Sequence, residues 1–144
     1  AQFKQALKLN PNDVLSYGNL VGVLVNLNRL KEAKAASDEA LAKKLDSTDL
    51  RTAMYLMAFL QSDEEAMQKT VAWATERPDD VSLMLYYLAD TAAYSGQLGK
   101  ARELSHQCIA AAQIAGRKER AAGCEGASHP PAPARCDRAP RRRR

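Results

Sequence analysis

Three times along the chain a short polar connection leads into an alanine at nearly the same interval. NLNRLKEA ends at Ala33, LQSDEEA at Ala66 and SGQLGKA at Ala101, at spacings of 33 and 35 residues. A second set of markers, the turn-like stretches NPND, LDST and RPDD, aligns at Asp13, Ser47 and Asp80, at spacings of 34 and 33. Periods of this length are the signature of repeated supersecondary units. The apolar spacing says what each unit is. Leu15, Leu20, Val23, Leu24 and Leu27 recur as on one face of a helix, and Leu30, Ala33, Ala36, Ala40 and Leu41 do so again after a brief break. Two amphipathic helices joined by a short connection form an αα-hairpin. An alanine at the junction lets its helices cross closely.

Composition supports helices up to about residue 115. Ala, Leu, Lys, Glu, Gln and Met dominate there, and only Pro11 and Pro78 interrupt, each with an acid just beyond it to favour the next helix N-terminus. The tail is different material. Residues 121–144 hold four of the six prolines and no large aliphatic residue, which is too little apolar surface to offset the entropy of ordering. Disorder is the expectation for 121–144, and a shifted reading frame through GC-rich DNA would give the same composition. The net charge of +4 is also a property of the end: residues 117–144 carry nine of the 21 Lys and Arg but three of the 17 Asp and Glu. The helical part is near neutral, so overall charge does not argue for nucleic acid. No run of 18 apolar residues is present. The opening AQFKQALKLNP reads as the second half of a hairpin, so a longer parent protein is expected. Of Cys108, Cys124 and Cys136, only Cys108 falls in the part expected to fold, so no disulfide framework is expected. That usage fits a reducing, cytoplasmic setting.

The period, the first-helix pattern Tyr17-x-x-Leu20 with Leu24, the junction Ala33 and the later Ala40 resemble the tetratricopeptide repeat. Phe3, Ala6, Leu7 and Pro11 look like the end of a preceding repeat. The resemblance implies an all-α right-handed superhelical solenoid over residues 1–120, with a half-repeat at 1–13 and repeats at about 14–47, 48–80 and 81–116. The sequence departs from the family pattern at Val21 (usually glycine), Ser37 (usually aromatic), Leu45 (usually proline) and Trp73 (usually small). EALAKKLDS, AMYLMAFLQSD and LGKARELS also resemble repeat arrays at the C-terminal end of bacterial serine/threonine kinases and related transcriptional regulators.

Residues for chemistry do not converge. His106 and Cys108, two apart on a helix, lie on different faces and cannot form a nucleophilic pair. Cys124, His129 and Cys136 lack ligand spacing for a metal. Gly18 and Gly22 fall inside a helix pattern and belong to no phosphate loop. Asp63-Glu64-Glu65 opens a helix, where capping explains it. No enzyme, cofactor, metal or small-molecule substrate is therefore expected. A nucleic-acid role resting on Arg141–Arg144 is disfavoured, since no aromatic residue accompanies the run.

What the resemblance implies instead is a protein-interaction scaffold that holds a peptide or protein surface on the concave side, lined by first helices. The residues expected there are Asn19 and Asn26 with Gly18 and Gly22, then Arg51 and Tyr55, then Tyr86, Asp90 and Tyr94, with Tyr87 on the same face. Tyr17 and Tyr87 are read as fillers between repeats. The alternative is a sensory or regulatory region of a bacterial kinase or transcription regulator whose activity resides elsewhere in the parent. Asp90 would oppose an acidic peptide terminus, so a carboxylate clamp is not expected. Pairing of solenoid ends into a homo-oligomer stays open.

Overall fold

The computed structural model describes residues 2–127, and among them every regular element is a helix. The eight helices are α1 (Gln2–Leu9), α2 (Val14–Asn26), α3 (Leu30–Ala42), α4 (Thr48–Leu60), α5 (Glu64–Thr75), α6 (Pro78–Tyr94), α7 (Leu98–Ile114) and α8 (Lys118–Ala127). None is long and apolar enough to cross a membrane.

How the helices stop decides where the next ones lie. α2 ends as Asn28 N–H donates to the Val25 carbonyl and Arg29 N–H to the Leu24 carbonyl, with Asn28 left-handed at φ 55°. α4 repeats this with Ser62 (φ 56°), and α6 with Gly96 (φ 76°). Each of the three left-handed residues lies 34 positions from the next. α3 and α7 close in the same way on Lys44 (φ 59°) and Gly116 (φ 69°). This is the Schellman motif, which satisfies the last carbonyls of a helix while reversing the chain. Starts are capped by side chains at two places: Ser47 accepts from Leu50 N–H at the head of α4, and Asp63 from Ala66 N–H at the head of α5.

The helices fall into two layers. α2, α4, α6 and α8 pack side by side in that order. α3, α5 and α7 each lie against their even-numbered neighbours, and among the described residues do not pack on one another. Tyr17, Leu20, Val21, Leu24, Ala33, Ala40, Leu50 and Ala53 form the core between α2, α3 and α4, with Phe3 and Leu7 of α1 packed on its edge. Tyr55, Ala74 and Met84 centre a second core between α4, α5 and α6. The Tyr55 hydroxyl is 2.8 Å from Thr91 Oγ1, a buried bond that ties α4 to α6.

Counting by 34 from Ala33 gives Met67 and then Ala101, so the small residue of the middle hairpin is not at its junction. α3 buries Ala33, Ser37 and Ala40, and α7 buries their counterparts Ala101, Ser105 and Cys108. α5 has Met67, Val71 and Ala74 at those positions, and Met67 and Val71 stay only partly buried. They line a cavity of about 620 Å³ bordered by α4, α5, α6 and the start of α7.

Two expectations need correction at the end of the chain. α8 continues to Ala127, so residues 121–127 are helical although their composition placed them in the tail. Arg117 N–H and Gly116 N–H close α7 and launch α8, which packs on α6 and α7 and buries Ala121 and Cys124. Cys124 thereby meets Cys108 of α7 in a disulfide, with the Cα atoms 6.0 Å apart. The readings made for His129, Cys136 and Arg141–Arg144 lie outside the described residues.

A serine in the left-handed region carries a steric cost that glycine escapes. Ser62→Gly is expected to raise unfolding stability by about 0.5–1 kcal/mol. Urea denaturation checks it; no gain would mean that Ser62 is not left-handed in solution.

Candidate functional site

The even-numbered helices leave a groove along one face, about 460 Å³ in volume. α2 contributes Asn19, Gly22 and Asn26; α4 contributes Asp49 and Leu56; α6 contributes Tyr87 and Asp90. The 34-residue register explains why they meet. Gly22, Leu56 and Asp90 are equivalent positions on successive first helices, as are Asn19, Ala53 and Tyr87. The two glycines act differently. A Cβ on Gly18 would lie 3.0 Å from Asp49 Cβ, so its absence lets the head of α4 approach α2. A Cβ on Gly22 would meet nothing within 4 Å, so the missing side chain there opens the floor of the groove.

Of the residues expected on this face, the structure brings together Asn19, Asn26 and Asp90, all exposed. Tyr87 joins them, in place of its neighbour Tyr86, which lines a separate hollow with Arg117 and Arg120 of the α8 end. Tyr94 is 85 % exposed beyond the groove and meets Phe59 edge to face at 5.8 Å. Tyr55 is 1 % exposed, in the position equivalent to core Val21, and its hydroxyl is taken by Thr91.

Arg51 belongs to a clamp on the other side of α4. It donates to Asp46 through Nε at 2.8 Å and Nη2 at 2.9 Å, while Trp73 Nε1 donates to the same carboxylate at 2.9 Å. The guanidinium groups of Arg51 and Arg77 lie over the Trp73 ring, 5.3 and 4.2 Å from its centroid. The first hairpin has a counterpart at equivalent positions. Tyr17 donates to Glu39 at 2.6 Å, Lys43 donates to the Tyr17 hydroxyl at 2.7 Å, and Lys43 lies over the Tyr17 ring at 5.2 Å. Tyr17, Glu39 and Lys43 correspond by 34 residues to Arg51, Trp73 and Arg77. Aromatic and cation have exchanged helices, and in both places they fasten the start of a first helix to the end of a second. Trp73 therefore has a place in this hairpin despite its size.

Asp49 and Leu56 went unassigned in the sequence, and Tyr87 was read as a filler between repeats. The signal that locates them is the 34-residue register, hidden because Ala66 resembles a junction residue and Met67 does not. Among the described residues no group of His, Cys, Asp and Glu side chains could hold a metal ion. No family model, no curated protein and no solved structure matches this chain.

Burial pushes the Asp46 carboxyl up, but the bonds from Arg51 and Trp73 and the nearby Arg77 outweigh it and hold it below the usual range. A depressed carboxyl stabilises the fold above its unfolded value, near 4, and loses that contribution as pH falls through its folded value. Asp46→Asn is expected to cost about 1 kcal/mol at pH 7. The difference in melting temperature between wild type and variant should shrink below about pH 4. A difference that stays constant between neutral and acid pH would contradict the clamp.

Proposed function

We propose that the chain is a protein–protein interaction module, a scaffold of stacked hairpins of the tetratricopeptide type that holds a peptide or protein segment in the α2–α4–α6 groove. One observation carries this reading. Equivalent positions of three successive first helices face a common hollow whose floor is left bare by Gly22 and whose walls bear two amides, two carboxylates and a tyrosine. A repeat stack buries its apolar faces between neighbours and leaves such a face available to a partner. Asn side chains can both donate to and accept from a peptide backbone, and Tyr gives a broad apolar face with a hydroxyl at little entropic cost. The departures from the family pattern are compatible with the stack: Val21 and Ser37 are both fully buried within it.

Gly22→Leu is the direct test, because a Cβ there meets nothing within 4 Å and the side chain grows from the open floor of the groove. Peptides selected from a displayed random library on the wild-type chain should lose at least about tenfold in affinity on this variant. Its melting temperature should be unchanged or higher, since glycine inside a helix costs about 1 kcal/mol. Equal binding by both chains would place the interaction elsewhere.

A further inference from the structure

The charges of the groove are all of one sign. Asp49 and Asp90 line it, and among the described residues no Lys or Arg does. Five acids elsewhere have a basic partner: Glu32 pairs with Arg29, Asp38 with Lys34, Glu39 with Lys43, Asp46 with Arg51 and Glu65 with Lys69. Neither Asp49 nor Asp90 is in an ion pair among the described residues, and both are exposed. Asp49 sits in the first turn of α4, where the helix dipole accounts for a carboxylate. Asp90 lies well inside α6, where neither capping nor the dipole does.

The two carboxylates share a neighbourhood. Burial first and then Tyr86 push the Tyr87 hydroxyl up; Arg120 opposes this, and Asp49 and Asp90 both add to the rise. Arg120, which lines the separate hollow beside Tyr86, acts on that hydroxyl more strongly than either carboxylate, so one cation stands at the α6–α8 edge while the lining itself carries only acids. A groove walled by acid and floored by glycine repels an acidic guest and favours a cationic one.

Resting on the reading of the groove as a peptide site, we propose that its occupant is an extended basic segment of a partner protein. Two of its Lys or Arg side chains reach Asp49 and Asp90, and its backbone is bonded by Asn19 and Asn26. Arg suits this role, because its planar guanidinium matches a carboxylate with two parallel bonds and stacks on an aromatic ring such as Tyr87.

The test uses the full chain and three fluorescein-labelled, C-amidated nonapeptides that carry Arg, Gln or Glu at alternate positions between Ser and Gly. Anisotropy should show the Arg peptide binding about tenfold or more tighter than the Gln peptide, and the Glu peptide weakest. Raising salt from about 50 to about 300 mM should narrow the gap. Asp49→Asn with Asp90→Asn should bring the Arg peptide down to the Gln level, while Gly22→Leu should lower binding of Arg and Gln peptides alike. Equal affinity for Arg and Gln peptides, or an unchanged affinity in the Asp double variant, overturns the proposal. If Gly22→Leu still weakens binding in that case, the groove reading survives and only the basic partner is lost; if it too has no effect, both fall. Changing Arg141–Arg144 to Gln should leave the Arg peptide's affinity unchanged. A gain of about tenfold would instead make the chain's own basic end the occupant, and overturn the partner assignment.

Discussion

A helix of this chain ends when one residue turns left-handed and two amides reach back to the carbonyls three and five positions earlier. The whole arrangement depends on that reversal. It fixes where each first helix stops, and it returns at Asn28, Ser62 and Gly96 with no slippage between turns. Because the interval is constant, residues 34 apart occupy equivalent places, and a side chain's surroundings follow from its position in the period. The turn also tolerates different residues for a physical reason: asparagine and glycine accept φ near +60° readily, while serine does so at a cost the hairpin packing offsets.

Register then separates two kinds of surface. On one side of α2 and of α4, cations and aromatic rings fasten the helix to the end of its own second helix, as in Tyr17–Glu39–Lys43 and Asp46–Arg51–Trp73–Arg77. On the opposite side nothing is fastened. Glycine and asparagine there leave space and exposed polar groups, and Asp49 and Asp90 add negative charge to the lining. The functional reading comes from this asymmetry and from no single motif.

Much of this was legible in the sequence. Apolar spacing and the prolines located the helices, and the recurrence of near-equal intervals pointed to hairpins. Asn19, Asn26 and Asp90 could be placed on a common face because α2 and α6 carry polar residues there. α4 could not be read in the same way, since its groove positions include Ala53 and Leu56, which look like core. Arg51 and Tyr55 drew attention by their chemistry, yet one belongs to a clamp and the other to the interior. Taking Ala66 as the junction displaced the register by one residue, enough to rotate a helical position by about 100° onto another face. α8 was hidden differently: its buried residues are Ala121 and Cys124, so its packing depends on small side chains and the Cys108 link that composition does not reveal.

Neighbouring first helices lie side by side in a fixed register, and the Tyr55–Thr91 bond is where α4 and α6 are tied by buried polar groups. Nuclear Overhauser spectroscopy of the full chain reads that contact directly. Strong cross-peaks should link the Tyr55 ring protons to the Thr91 methyl group, with the hydroxyl proton protected from exchange. A Tyr55 ring in solvent-like surroundings, with no cross-peak to any residue of α6, would contradict the stacked arrangement and the groove built on it.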